Sequence, residues 1–113
     1  MNFNGKTVIV TGSTRGLGKA IAEKFAMSGA NVIINGTSKT VFKTEEEFLQ
    51  KGYCVKAVEG DISIPEKAQE LIDTAVNTYG KVDVLVNNAG VIRDKLMMKM
   101  SVEDWDTVLD INL

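Results

Sequence analysis

The stretch TVIVTGSTRGLGKAIA, residues 7–22, passes from a run of β-branched residues to a helix-forming run, with Gly12, Gly16 and Gly18 between them. TVIV is a short continuous apolar run, as expected of a strand buried on both faces of a parallel sheet. The spacing of Leu17, Ile21 and Phe25 predicts a helix over 15–28, and Gly29 is its natural stop. A strand, a glycine turn and a helix in that order are the setting in which such glycines bear on an anion.

The alternation continues outward from this stretch. NVIIN (31–35) reads as a second buried strand, and Val41, Phe42, Glu45, Phe48 and Leu49 give a helical pattern over about 40–51, closed by Gly52. YCVKAV (53–58) is a third strand. Ser63 with Glu66 resembles a capping box, with Pro65 in the first turn of the helix that follows. That helix carries Ala68, Leu71, Ile72, Ala75, Val76 and Tyr79 on one stripe and ends at Gly80. VDVLVN (82–87) is the fourth strand. A last helix is expected from Ser101, with Asp104 three residues on and a stripe of Val102, Trp105, Val108, Leu109 and Leu113. The fold class is therefore α/β, a parallel sheet with crossover helices, forming one domain over 1–113.

Composition narrows the chemistry. The chain has 113 residues, 44% hydrophobic and 25% charged, with a formal charge of −2, so no global charge draws it to nucleic acid or anionic membrane. It has no histidine, which removes a Ser-His-Asp triad and the commonest metal ligand. Cys54 is the single cysteine and is expected to be a small buried hydrophobe; no metal site is expected. No apolar run approaches the ~18 residues of a membrane span, and MNFNGK lacks the apolar core of a signal peptide. The expected location is cytoplasmic.

In a turn between strand and helix each glycine has a distinct task. One permits the tight bend, one lets the backbone approach a pyrophosphate, and one lets helix and strand pack closely. The N–H groups of the helix start supply the anion site. The spacing Gly12-x-x-x-Gly16-x-Gly18 departs from G-x-G-x-x-G and lacks the Gly-Lys-Ser/Thr ending of a P-loop. On spacing alone, serving the turn only is the lesser alternative for these glycines.

TGSTRGLG (11–18) resembles the TGxxxGxG fingerprint of the short-chain dehydrogenases/reductases. NNAG (87–90), GDIS (60–63) and DINL (110–113) stand in order where that family has its further motifs. Residues 1–22 and 87–113, RDKLMMKM (93–100) above all, are most similar to its 3-oxoacyl-[acyl-carrier-protein] reductases. The resemblance implies a Rossmann-type doubly wound parallel sheet of about four strands in the order 3-2-1-4, with the apolar edge of the fourth strand open. It implies that Gly12, Ser13, Thr14, Arg15, Gly16, Leu17 and Gly18 form the phosphate turn. It places Asp61 and Ile62 beside the adenine, and Asn88, Ala89 and Gly90 along the ribose and nicotinamide side. Asn112 is implied as a proton-relay residue, although an ordinary polar helix position is the plainer alternative. The implied reaction is NADPH-dependent reduction of a 3-oxoacyl thioester on an acyl carrier protein in fatty acid synthesis, or of another small carbonyl substrate, by enzymes that are homo-oligomers. A flavodoxin-like binder of another phosphate ligand is disfavoured by NNAG and DINL.

The cofactor is argued from charge. A NAD site usually has a carboxylate at the end of the second strand to bind the ribose 2′-hydroxyl. Here that place holds Asn35, Gly36, Thr37 and Ser38, while Arg15 lies in the turn and Lys39 nearby. A 2′-phosphate wants a guanidinium and hydroxyl donors, so NADP(H) is expected, with Thr37 among its ligands. Met97, Met98 and Met100 offer an acyl pocket or plain packing, and Arg93, Lys95 and Lys99 a carrier-protein contact or a solvated cluster. Packing and solvation are the defaults.

The family's catalytic serine and Tyr-x-x-x-Lys have no counterpart. Tyr53 is followed four residues later by Ala57, and Tyr79 by Asp83. The expectation is the cofactor-binding half of a longer reductase, inactive by itself. A non-enzymatic nucleotide-binding or complementing chain is the alternative.

Overall fold

A computed structural model describes residues 2–88 and 109–112. Its elements are β1 (Thr7–Val10), α1 (Gly16–Met27), β2 (Asn31–Gly36), α2 (Thr40–Gln50), β3 (Cys54–Glu59), α3 (Pro65–Tyr79), β4 (Val84–Asn87) and β5 (Leu109–Asn112). All strand pairs are parallel, in the order β3-β2-β1-β4-β5. The first four strands follow the expected 3-2-1-4 order, and crossover helices account for it.

The apolar runs are buried on both faces because side chains alternate across each strand. Val8, Val10, Val32 and Ile34 pack with Ala22, Ala26, Val41 and Phe48 on the side of α1 and α2. Ile9, Ile33, Val58 and Leu85 pack with Ala68, Leu71, Ile72 and Ala75 of α3 on the other. The α3 stripe lies where its spacing put it, and Gly80 ends the helix at φ 85°.

Several expectations need correction. Residues 109–112 are a strand, not the end of a helix, and β5 pairs with β4 so that Asn112 stands opposite Asn87 in register. A short run such as VLDIN fits either period, and the open hydrogen-bonding edge of β4 decides it. That pairing also covers the edge expected to be open. Residues 101–108, with the rest of the predicted helix, lie outside the described residues, as do the Met97–Met100 and Arg93–Lys99 clusters.

In α1 the face against the sheet is Gly18, Ala22 and Ala26, whereas Leu17 is exposed and Ile21 and Phe25 flank the contact. Small residues win there because the helix starts hard against the glycine turn. In α2, Val41, Thr44 and Phe48 face inward, while Phe42 and Leu49 are exposed. Ser63 does not cap α3. Ile64 is the capping residue, and Ser63 instead donates from N–H and Oγ to Asp61 Oδ1, at 2.9 and 2.7 Å. Cys54 is exposed on the edge strand β3, with Sγ 3.7 Å from the Tyr79 hydroxyl.

Candidate cofactor cleft

The C-terminal ends of β1, β2 and β3 open into a cleft of about 570 Å³. In an open α/β sheet this is the end at which ligands bind, because the loops there diverge around the point where strand order reverses. The reversal falls between β1 and β4, and Asn88, just after β4, lines the cleft.

The glycine turn forms one wall. Gly12 and Gly16 have φ of 59° and 60°, a region costly for any residue with a Cβ. A Cβ on Gly12 would also stand 3.1 Å from Asn88 Nδ2. Gly18 has ordinary helical geometry, but a Cβ there would overlap the carbonyl oxygen of Gly12. The three glycines therefore divide the work between bending the chain and letting α1 approach it. The N–H groups of the first turn of α1 have no carbonyl one turn earlier to bond, as at every helix start. With no acid in that turn and Arg15 at the N-cap, the local field favours an anion.

Arg15, Gly16 and Leu17 line the cleft beside Thr14. Gly36 and Thr37 form the floor at the end of β2. Thr14 approaches this floor so closely that a Cβ on Gly36 would meet its Cγ2 at 2.5 Å. Asp61 and Ile62 close the side at the end of β3. Ile62 is buried against α3, while one oxygen of Asp61 is engaged in the turn with Ser63.

Two predicted residues serve the walls rather than the cavity. Ser13 is fully buried; its Oγ donates to Val10 O at 2.8 Å and accepts from Asn35 N–H at 2.8 Å, so it pins the turn to β2. Gly18 acts by packing alone. Asn88 lines the cleft and also holds the turn: its N–H donates to Thr11 Oγ1 at 3.0 Å and its Nδ2 to Gly12 O at 3.2 Å. Ala89 and Gly90 lie outside the described residues. Asn112 has its backbone at the same end of the sheet, on β5.

Sequence reasoning missed Thr11, Asn35, Gly36 and Gly60, all of which line the cleft. For Asn35 there was a signal, an amide directly after the apolar run Val32–Ile34 of a strand read as buried. Neither tyrosine is at the cleft. Tyr53 donates to Glu23 Oε2 at 3.4 Å, and Tyr79 packs with the α3 core, where burial pushes the pKa of its hydroxyl up. Among the described residues no group of acidic or thiol side chains could hold a metal, and no helix is long and apolar enough to cross a membrane.

The family model for short chain dehydrogenases matches residues 6–113. A 3-oxoacyl-[acyl-carrier-protein] reductase of Aquifex aeolicus (strain VF5) is 45% identical over 115 residues, covering 100% of this chain and 46% of its own length. Glucose 1-dehydrogenase 2 of Bacillus subtilis (strain 168) is 44% identical over 115 residues, covering 99% of this chain and 45% of its own. The solved apo-form of a glucose dehydrogenase of Caenorhabditis elegans superposes with a TM-score of 0.85 at 28% identity, over 97% of this chain and 55% of that one. The chain spans about half the length of the curated relatives it matches. With its parallel sheet, its glycine turn and a match from residue 6 to 113, this chain belongs to the short-chain dehydrogenases, oxidoreductases whose Rossmann-type domains bind nicotinamide cofactors.

Proposed function

We propose that this chain is the NADP(H)-binding part of a reductase that converts a 3-oxoacyl thioester, carried on an acyl carrier protein, to the 3-hydroxyacyl thioester. The observation that carries the cofactor reading is the floor of the cleft. Where a carboxylate would select NAD, the end of β2 presents Gly36 and Thr37, and Arg15 stands on the adjacent wall. The only described carboxylate lining the cleft, Asp61, belongs to the end of β3. An arginine at a helix start opposes the helix dipole, and a bound 2′-phosphate offsets that cost.

In this reading the N–H groups at the start of α1 receive the pyrophosphate. Arg15 and Thr37 receive the 2′-phosphate, Asp61 and Ile62 flank the adenine, and Asn88, Ala89 and Gly90 follow the ribose toward the nicotinamide. The cofactor supplies the hydride. Asn112, in register with Asn87 at the ligand end of the sheet, is assigned to the proton relay. Neither Tyr53 nor Tyr79 reaches the cleft, so the 113 residues by themselves hold the cofactor without a tyrosine to protonate the product, and alone they do not turn over substrate.

The likeness to glucose 1-dehydrogenase 2 favours a second reading, in which the same cleft serves oxidation of a sugar hydroxyl. The test begins with the cofactor. Arg15→Ala is expected to weaken NADPH by ~10–100-fold, the worth of a charge-assisted contact, and to leave NADH within about twofold, both read by fluorescence titration. Equal losses for the two would refute the 2′-phosphate assignment. In a protein carrying these residues with the remaining length of its relatives, NADPH oxidation by an acetoacetyl thioester supports the first reading. NADP+ reduction by glucose supports the second.

A further inference from the structure

We infer that Asn35 is a positioning residue that fastens the phosphate turn to the adenine-side segment, so that the two grip one dinucleotide as a unit. This rests on the reading of the cleft as a dinucleotide site. Asn35 is 3% exposed and follows the apolar centre of β2. Its Nδ2 donates to Val58 O at 3.1 Å and to Gly60 O at 3.2 Å, using both amide hydrogens. On the other side, its Oδ1 takes a long 3.5 Å contact from Gly12 N–H. Its own backbone exchanges bonds with Ser13, accepting from Ser13 N–H and donating to Ser13 Oγ, both at 2.8 Å.

The location gives these bonds their meaning. The β1–β2 ladder stops at Val10 and Ile34, and the β2–β3 ladder stops at Gly36 and Glu59. Beyond those points the chains diverge to form the cleft, each tied back to β2 by a backbone bond, Ser13 N–H to Asn35 O at 2.8 Å and Gly60 N–H to Gly36 O at 2.9 Å. The Asn35 side chain continues past the ladders in both directions, to Gly12 and to Gly60. A buried amide costs desolvation that its hydrogen bonds little more than offset, so an apolar residue would serve stability about as well. What an apolar residue cannot do is link the turn directly to the 58–62 segment, which the backbone bonds tie only separately to β2. A ligand that touches one side alone is indifferent to that link, whereas a dinucleotide spanning both is not.

Asn35→Val and Asn35→Thr have the same shape and differ only in a hydroxyl that can donate one bond and accept one. Each is titrated with NADPH, adenosine and inorganic pyrophosphate, and amide exchange is followed at Gly12 and Gly60. Asn35→Val is expected to weaken NADPH about tenfold, leave both short ligands within about twofold, and speed exchange at both glycines together. Asn35→Thr should recover part of the NADPH loss. Equal losses for all three ligands mean general damage and overturn the inference, as does an unchanged NADPH affinity where the parent binds. Should the parent fail to bind NADPH, the cleft reading falls and this inference with it. If Asn35→Val does not fold, Asn35→Thr against the parent must show the same selective loss, smaller in size, for the inference to stand.

Discussion

At the N-terminal ends of the strands, Asp83 accepts a 2.8 Å bond from Thr7 N–H, donates its own N–H to Thr7 O at 2.9 Å, and meets Lys81 Nζ at 3.4 Å. At the C-terminal ends, Thr11, Ser13, Asn35 and Asn88 are as fully bonded, yet a cleft of about 570 Å³ opens among them. The first group ties β1 directly to the start of β4. The second holds apart loops whose glycines have no side chains to fill the gap. Polar bonding alone therefore does not mark the ligand end; bonded walls around glycine-made space do.

Substitutions at the two ends should separate stability from binding. The largest effect is expected at Gly18. Alanine gains about 1 kcal/mol of helix propensity, but its Cβ overlaps the Gly12 carbonyl and crowds Asn88, and overpacking against backbone costs up to ~3 kcal/mol or more. Gly18→Ala should lose about 2 kcal/mol in urea melts and nearly all NADPH binding; full retention of binding would break the contrast. Next is Asp83→Ala at the N-terminal end of the sheet, which leaves the Thr7 N–H without its acceptor and should cost about 1–3 kcal/mol. NADPH affinity of the folded protein should not change, and a loss of affinity there would show the two ends to be coupled.

A smaller effect, confined to the open end, is expected for Thr37→Asp. A carboxylate on the floor of the cleft should shift the NADPH-to-NADH affinity ratio toward NADH by about tenfold without moving the melting temperature. The smallest lies away from both ends. Glu23 Oε2 accepts from Lys51 Nζ at 2.7 Å, and that bond holds its carboxyl below the usual range. A depressed carboxyl stabilises the fold above its unfolded pKa, and that contribution disappears as pH falls through the folded value. Glu23→Gln should therefore lower the melting temperature slightly near neutral pH and not at all near pH 2, as scanning calorimetry at the two pH values would show.

The legible part of the fold was the part with strong periodicity. TVIV, NVIIN and the α3 stripe fell where they were placed, because strands buried on both faces and a long amphipathic helix leave unambiguous patterns. Leu109–Asn112 was not legible. Four residues cannot distinguish the two periods, and the partner that makes them a strand, β4, lies more than twenty residues earlier. The inward face of α1 was not legible for a related reason, since spacing predicts the helix but the approach of Gly18 to Gly12, which admits only small residues, decides its face.

Sequence by itself determined the glycine turn, the absence of an acid at the end of β2, and the alternation that sends every crossover back to a parallel sheet. Those are properties of residue type and local spacing. Tertiary structure alone decided which polar residues face the ligand space and which hold its walls. Ser13, Asn35 and Asn88 are neighbours only because three separate strands end side by side, and no spacing along the chain records that their hydrogen bonds converge there.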